Sequence, residues 1–380
     1  MAVNRVKQHI SDQVFTPNGF TSLLLPSAQP CEEGRQGKSA QGSRAYDGSN
    51  DRTKVVFTAS HGGHLGQAMR LRQDLRPDAV IVATKEGESS YPRDRIATVP
   101  TLNNLPNWIR NLVRSAILAH RLRPDIVVAL GCRDVAFFCA WSKLVGARLF
   151  LVESFARVRT PSRFLRILAP LADRIFVQWP ELGAWIPRAT LVRPIYALRP
   201  PVAHPIRQVL VVVGTFRNGM DRLLRIVDEA CPLPGSPAVT CQIGNSKYIP
   251  KTANWYRWKP ARDFQDDISH ADLIVTHDGS NTIATALEAT KPVVVVPRTP
   301  LELDYQSNAE LATELSNRSW VALATDAGQL REAVNRIHSL SPTSDFSGPT
   351  IVSCIRSEIA RGKTGGASSI GHALLNRDSG

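Results

Sequence analysis

Leu273-Ile274-Val275-Thr276-His277-Asp278-Gly279-Ser280-Asn281-Thr282 opens on a short apolar run and breaks into a polar turn around one glycine. Such a run is the signature of a buried parallel strand. Residues 282–289 then predict a helix with Ile283 and Leu287 on one face, and 293–296, four valines after Pro292, predict a second buried strand. That crossover puts the helix N-terminus at the carboxyl end of the sheet, where free N–H groups and the helix dipole attract a phosphate. Gly279 allows the backbone to approach a ligand closely. Glu288 falls about two turns further on, on the order of 10 Å from the helix start, and a carboxylate there suits a sugar diol better than a phosphate. The stretch reads as half of a nucleotide site.

Working outward, 380 residues suffice for two ordinary domains. The balance is basic, 46 Lys and Arg against 33 Asp and Glu for a net charge of +13, which implies an anionic partner. Nucleic acid, an acidic membrane surface and a phosphorylated substrate all qualify. No helix-turn-helix or aromatic-basic motif accompanies the charge, so nucleic acid is the weakest of the three. The six cysteines form no Cys-x-x-Cys pair and no metal-ligand spacing, and no signal peptide is read, so reduced cytosolic thiols and no metal site are expected. The longest apolar runs fall far short of the roughly 18 residues a membrane span needs. Contact with a membrane would therefore be peripheral, at the cytoplasmic face.

Taken in order, residues 1–51 are polar, without periodicity, and are expected to be a disordered leader. Strands are predicted at 53–58, 79–83, 125–130, 148–152 and 175–177, with helices between them, the alternation of a doubly wound α/β domain spanning 52–196. The first strand ends in Ala59-Ser60-His61-Gly62-Gly63-His64, a second glycine turn at a helix start. His64 is the first candidate general base there, and Glu153, at the end of a later strand, the second. The helix at 105–123 carries Leu105, Trp108, Ile109, Leu112, Val113, Ala116 and Ile117 on one side and reads as a core helix with a solvated face. Trp179 is expected to pack the domain. Residues 197–207, with Pro200, Pro201 and Pro205, read as a linker. A second α/β domain follows at 208–340, then a tail at 341–380 with a possible helix at 351–361.

Beyond these patterns, His277-x-Gly279-Ser280, Glu288, Lys291-Pro292, Pro297 and then Gln306 with Asn308-Ala309 resemble the donor half of GT-B glycosyltransferases that use UDP-sugars. The resemblance implies that Ser280 and Asn281 hold the diphosphate, that Glu288 binds the ribose hydroxyls and that Gln306 meets the donor sugar. Asp278 departs from the small residue usual after the histidine and adds a negative charge beside a diphosphate. Gly62-Gly63-His64, then Glu153-Ser154-Phe155 with Arg157, then Gln178-Trp179-Pro180-Glu181-Leu182 look like the acceptor-side subunit of the dolichol-pathway N-acetylglucosaminyltransferase and like the bacterial exopolysaccharide glucuronosyltransferase. Val212-Val213-Gly214-Thr215-Phe216 and Gln242-Ile243-Gly244 resemble the small catalytic partner subunit of the same enzymes, adding Gly214, Thr215, Gly244 and Phe264 to the donor-binding candidates. The chain thus resembles a fusion of both subunits.

The resemblance implies a GT-B fold, two Rossmann-like domains facing across a cleft, with the acceptor held in the first and the donor in the second. It implies inverting transfer from a UDP-sugar, glucuronate or N-acetylglucosamine, to a polyprenyl-diphosphate-linked saccharide in exopolysaccharide or glycolipid synthesis. The UDP-sugar is a substrate, and no separate cofactor is expected. The alternatives are a UDP-N-acetylglucosamine 2-epimerase on the same architecture and a non-catalytic UDP-sugar-binding module. For the membrane, Arg159, Arg163 and Arg166 recur at helical spacing beside Phe164, Ile167 and Leu168, and together with the 105–123 helix form the expected contact.

Overall fold

A computed structural model describes residues 53–60, 63–84, 96–131, 133–202, 204–215, 218–299, 302, 310–342, 346 and 348–364. The expected leader lies outside the described residues, as do His61, Gly62, Phe216, Gln306, Asn308 and Ala309.

The apolar runs become two all-parallel sheets. The first alternates β1 (Val55–Ser60), α1 (Gly63–Leu75), β2 (Ala79–Thr84), β3 (Ile96–Pro100), α2 (Leu105–Leu122), β4 (Ile126–Leu130), α3 (Ala136–Leu144), β5 (Arg148–Val152), α4 (Arg163–Leu168), β6 (Arg174–Val177) and β7 (Thr190–Leu191). The second is built from β8 (Gln208–Val212), α5 (Asp221–Ala230), β9 (Ala238–Gln242), β10 (Asn254–Tyr256), α6 (Ala261–His270), β11 (Leu273–Thr276), α7 (Ser280–Glu288), β12 (Val293–Val295), α8 (Glu310–Asn317), β13 (Ala322–Leu323) and α9 (Ala327–Arg336); α10 (Ile351–Thr364) ends the described chain. Strand order is β3-β2-β1-β4-β5-β6-β7 in one sheet and β10-β9-β8-β11-β12-β13 in the other.

In each sheet the order reverses between two central strands, β1 beside β4 and β8 beside β11, with Phe57 level with Val128 and Val211 level with Val275. At such a switch point the flanking loops part and open a crevice beyond the carboxyl ends of the strands. The glycine turns after β1 and β11 both lie there. Helices cover both faces of each sheet: Val55, Phe57 and Ala59 pack toward Leu65, Leu71, Ile351 and Ile355, while Val56 joins a second apolar cluster that continues through Phe155, Trp179 and Tyr196 into Ile274, Ile283 and Leu287 of the second domain.

Three features differ from the sequence reading. The strands β3, β7, β10 and β13 were not anticipated, and they are the four sheet edges. An edge strand faces water along one side, so its sequence lacks the continuous apolar run that marks a central strand. The segment expected as a tail instead returns to the first domain as α10, where Ile351 and Ile355 are buried and Glu358 pairs with Arg148 and Arg174.

The third difference is α2, whose expected orientation is reversed. Its buried positions are Asn107, Asn111, Ser115 and Ala119. Leu105, Trp108, Ile109, Leu112, Val113 and Ile117 face solvent instead. The polar face is accommodated inside because its groups are satisfied: Asn111 donates to the Pro100 carbonyl and, at 2.8 Å, to the Asp134 carbonyl, and Ser115 donates to Asn111 at 3.0 Å. Asn104 caps the helix by accepting from the Asn107 amide at 2.9 Å.

Docking of α10 is tested by Ile355→Ala. Removing this fully buried side chain should cost about 2–5 kcal/mol of unfolding free energy, read as a lower urea midpoint. A wild-type midpoint would show that α10 does not complete the first domain's core.

Candidate active site

In the second domain, three turns at the ends of β8, β9 and β11 are built against one another. Gly214 and Gly244 both have left-handed backbones, φ +74° and +50°, and a Cβ on Gly244 would lie 2.6 Å from the Gly214 carbonyl oxygen. Gln242 ties the pair by accepting from the Gly214 amide at 2.7 Å and donating to the Arg257 carbonyl at 3.0 Å. Arg257 in turn donates to the Gly244 carbonyl at 2.9 Å. His277 folds back over its own turn. A Cβ on Gly279 would lie 2.5 Å from its Cε1, so this glycine makes room for the imidazole, where the sequence suggested room for a ligand.

Asp278 does not bring a free charge to this site. Burial alone would raise its pKa, but His277 and Arg298 outweigh burial and the net shift is downward. Nε of Arg298 sits 2.6 Å from the carboxylate. The N-cap of α7, Gly279, offers no side-chain cap, so the amides of Ser280, Asn281 and Thr282 start the helix as free donors for an anion. Thr215 is exposed beside these turns, and Phe264 packs half-buried on the core behind them.

In the first domain, His64 occupies the first turn of α1 and lies against the end of β4. A Cβ on Gly131, itself at φ +30°, would lie 2.9 Å from Cε1 of His64. Nδ1 of His64 is buried with no hydrogen-bond partner among the described residues. Burial, helped by the positive charge of Arg157, lowers its pKa from 6.5 to about 4. The imidazole is therefore neutral at physiological pH and can accept a proton.

Glu153 is placed differently from its expected role as a base. It is fully buried, and its two oxygens accept the Ser154 and Ser162 amides at 2.8 Å each. Burial raises its pKa against those hydrogen bonds and Arg157. The carboxylate closes the loop 154–162. Gln178 donates to the Glu153 carbonyl at 2.8 Å, and Trp179, buried as expected, donates to the Phe155 carbonyl at 2.7 Å while stacking on its ring at 5.3 Å. The second domain grips the same loop. Glu310 accepts from Val158 and Arg159 amides at 3.2 Å, Arg159 pairs with Glu314 at 2.9 Å, and Arg318 pairs with Glu181 at 2.6 Å.

The two halves meet where α1 lies beside α7. A Cβ on Gly63 would be 3.9 Å from Oγ of Ser280, and one on Gly66 would be 3.2 Å from Oδ1 of Asn281. Further along, Glu288 is bidentate to Arg70 at 2.8 and 2.6 Å and also accepts the Ala197 amide at 2.9 Å. Its oxygens are engaged between domains and do not stand open for a ribose. The structure thus brings together Gly63, His64, Ser280 and Asn281 at one point, with Gly214, Gly244, His277 and Gly279 in an adjoining cradle. Sequence reasoning missed Arg70, Arg257, Arg298 and Glu310, whose partners lie far along the chain or on separate elements and so leave no local pattern. Among the described residues no group of three or more His, Cys, Asp or Glu side chains is placed to hold a metal ion.

Two switch-point turns facing each other from two parallel-sheet domains define the GT-B fold. Residues 84–194 match the family model for oligosaccharide biosynthesis protein Alg14-like chains, and residues 208–344 match the glycosyltransferase family 28 C-terminal domain. The chain therefore joins an Alg14-like half to a GT-B glycosyltransferase half. It is similar to the UDP-N-acetylglucosamine transferase subunit ALG14 of Yarrowia lipolytica, 26% identical over 38% of this chain and 82% of that protein. It is also similar to the UDP-N-acetylglucosamine–N-acetylmuramyl-(pentapeptide) pyrophosphoryl-undecaprenol N-acetylglucosamine transferase of an Anaeromyxobacter species, 26% identical over 64% of this chain and 73% of that one. Among solved structures, MurG of Acinetobacter baumannii superposes with a TM-score of 0.56 at 15% identity, covering 81% of this chain and 99% of that one. The UDP-GlcNAc 2-epimerase of Methanocaldococcus jannaschii does so with 0.59 at 13%, covering 81% and 100%. At these identities the likeness is one of fold.

If His64 is the base, the acid limb of kcat/KM falls at about pH 4, because the free enzyme's imidazole stays neutral down to that pKa. His64→Ala should lower turnover by on the order of 10²-fold. Wild-type turnover in the variant would remove His64 from the chemistry.

Proposed function

We propose that the chain transfers a sugar from a UDP-sugar to a polyprenyl-diphosphate-linked saccharide, with inversion at the anomeric carbon. The observation that carries this is the meeting of the His64 turn of one domain with the bare helix start at Ser280 of the other. The acceptor hydroxyl oxygen attacks the anomeric carbon from the face opposite UDP and forms the new glycosidic bond. The bond between that carbon and the UDP oxygen breaks, and UDP leaves with the electron pair. The hydroxyl proton passes to the neutral imidazole of His64. The first amides of α7 take up the charge that develops on the diphosphate, a role that depends on donors already held in place.

N-acetylglucosamine is the first donor to test, since the relatives' names carry it; glucuronate is the second. A panel of both UDP-sugars with a short-chain polyprenyl-diphosphate-linked sugar should give UDP release only with acceptor present, and a β-linked product from the α-linked donor. Production of the C2 epimer without acceptor would replace this reading with the epimerase one.

We further propose that the enzyme works at the cytoplasmic face of a membrane, where such an acceptor resides. No helix among the described residues is long and apolar enough to cross a bilayer. The contact is the outward face of α2, where Trp108, Ile109, Leu112, Val113 and Ile117 stand among exposed Arg110, Arg114 and Arg121. The α4 series is less suited: Phe164 and Leu168 are buried and Arg159 is paired with Glu314. Each arginine near an anionic surface contributes roughly 1 kcal/mol, so binding to anionic liposomes should fall with salt. Ile109→Asp with Val113→Asp should abolish it. Wild-type sedimentation by that double variant would exclude α2 as the contact.

A further inference from the structure

Glu288 joins three pieces of the molecule. Its Oε1 accepts from Nη1 of Arg70 on α1 and from the Ala197 amide of the connecting segment, and its Oε2 faces Nη2 of Arg70. The guanidinium also lies over the Tyr196 ring, 4.9 Å from its centroid, and the Tyr196 hydroxyl donates to Asn281 in the first turn of α7 at 3.5 Å. The connecting segment then follows α7, the Arg199 amide donating to the Leu287 carbonyl at 3.3 Å and the Val202 amide to the Thr290 carbonyl at 2.9 Å. A bidentate arginine–carboxylate fork has a preferred mutual orientation, so it fixes the angle between its two carriers as well as their separation.

We propose that Arg70 and Glu288 are positioning residues, whose fork sets the register of the two domains so that His64 and the first turn of α7 face each other across the reacting bond. The role rests on the transferase reading above. It differs from a ribose contact in a way that can be measured. A carboxylate that binds ribose must stay a carboxylate at 288, whereas a fork works with its two halves exchanged.

The test compares Arg70→Glu, Glu288→Arg and the double exchange R70E/E288R in the full chain. Three quantities are read: UDP affinity by calorimetry, turnover with UDP-sugar and polyprenyl-diphosphate acceptor, and hydrogen–deuterium exchange of the 195–202 peptide. Each single variant should lose about tenfold or more in kcat through misalignment, keep UDP affinity within about twofold, and exchange faster at 195–202. The double exchange should restore turnover, with protection at 195–202 only partly recovered because an arginine at 288 cannot accept the Ala197 amide. A double variant as slow as the singles, with UDP affinity lost wherever the 288 carboxylate is lost, overturns the proposal in favour of a nucleotide contact. Wild-type turnover in both singles overturns it as well. The exchange arm needs no substrate: unchanged protection at 195–202 in the singles refutes the joint whatever reaction the enzyme runs. If the wild type transfers no sugar, the transferase reading fails, and the affinity and exchange arms still decide the joint.

Discussion

The close parallel approach of α1 and α7 is the constraint on which the site depends. Two helices from different domains lie with their first turns in contact, a Cβ at Gly66 falling 3.2 Å from Oδ1 of Asn281 and one at Gly63 in ordinary contact with Ser280 at 3.9 Å. The arrangement has an electrostatic cost. Each helix start carries the equivalent of about half a positive charge, and side by side these charges repel. The Arg70–Glu288 fork, seven residues along from Gly63, holds the pair against that repulsion. An anion seated at the start of α7 would offset that repulsion and meet the uncapped first turn of that helix.

A pair of carboxylates shapes the 154–162 loop of the first domain. Glu153 gathers the two ends of the loop 154–162 from below, and Glu310 gathers its crest from the other domain. The side chain of Arg157, half-buried on this loop, is close enough to affect both His64 and Glu153. The 154–162 loop and the second domain are thus ordered by the same contacts.

How much of this was legible in the sequence follows from what each residue touches. Central strands such as Leu273–Thr276 are buried on both faces and announce themselves as apolar runs. The edges β3, β7, β10 and β13 are half-solvated and do not. The glycine turns at Gly63 and Gly279 could be found because their constraints are local to a strand end. Glu288 was found as a conspicuous carboxylate, yet its partner Arg70 lies 218 residues earlier, and no spacing rule reaches that far. The α2 helix shows the limit of periodicity. Its amphipathic pattern is real, but a pattern gives the stripe and not the side to which the stripe turns. Only the hydrogen bonds of the polar stripe, with Asn111 reaching the Asp134 carbonyl beneath the helix, Ser115 donating to Asn111 and Asn107 to Asn103, reveal which face is inside.

The return of α10 has a mechanical meaning. The chain leaves the first domain after β7, builds the whole second sheet, and comes back to lay Ile351 and Ile355 against β1, with the Arg193 amide donating to the Pro349 carbonyl where the outgoing and returning strands pass. The second domain is thus hung on two covalent pins set close together. A body held at two neighbouring points swings about the line through them and resists twisting across it. Opening of the cleft should then resemble a door, with little of the corkscrew motion that a single tether would permit.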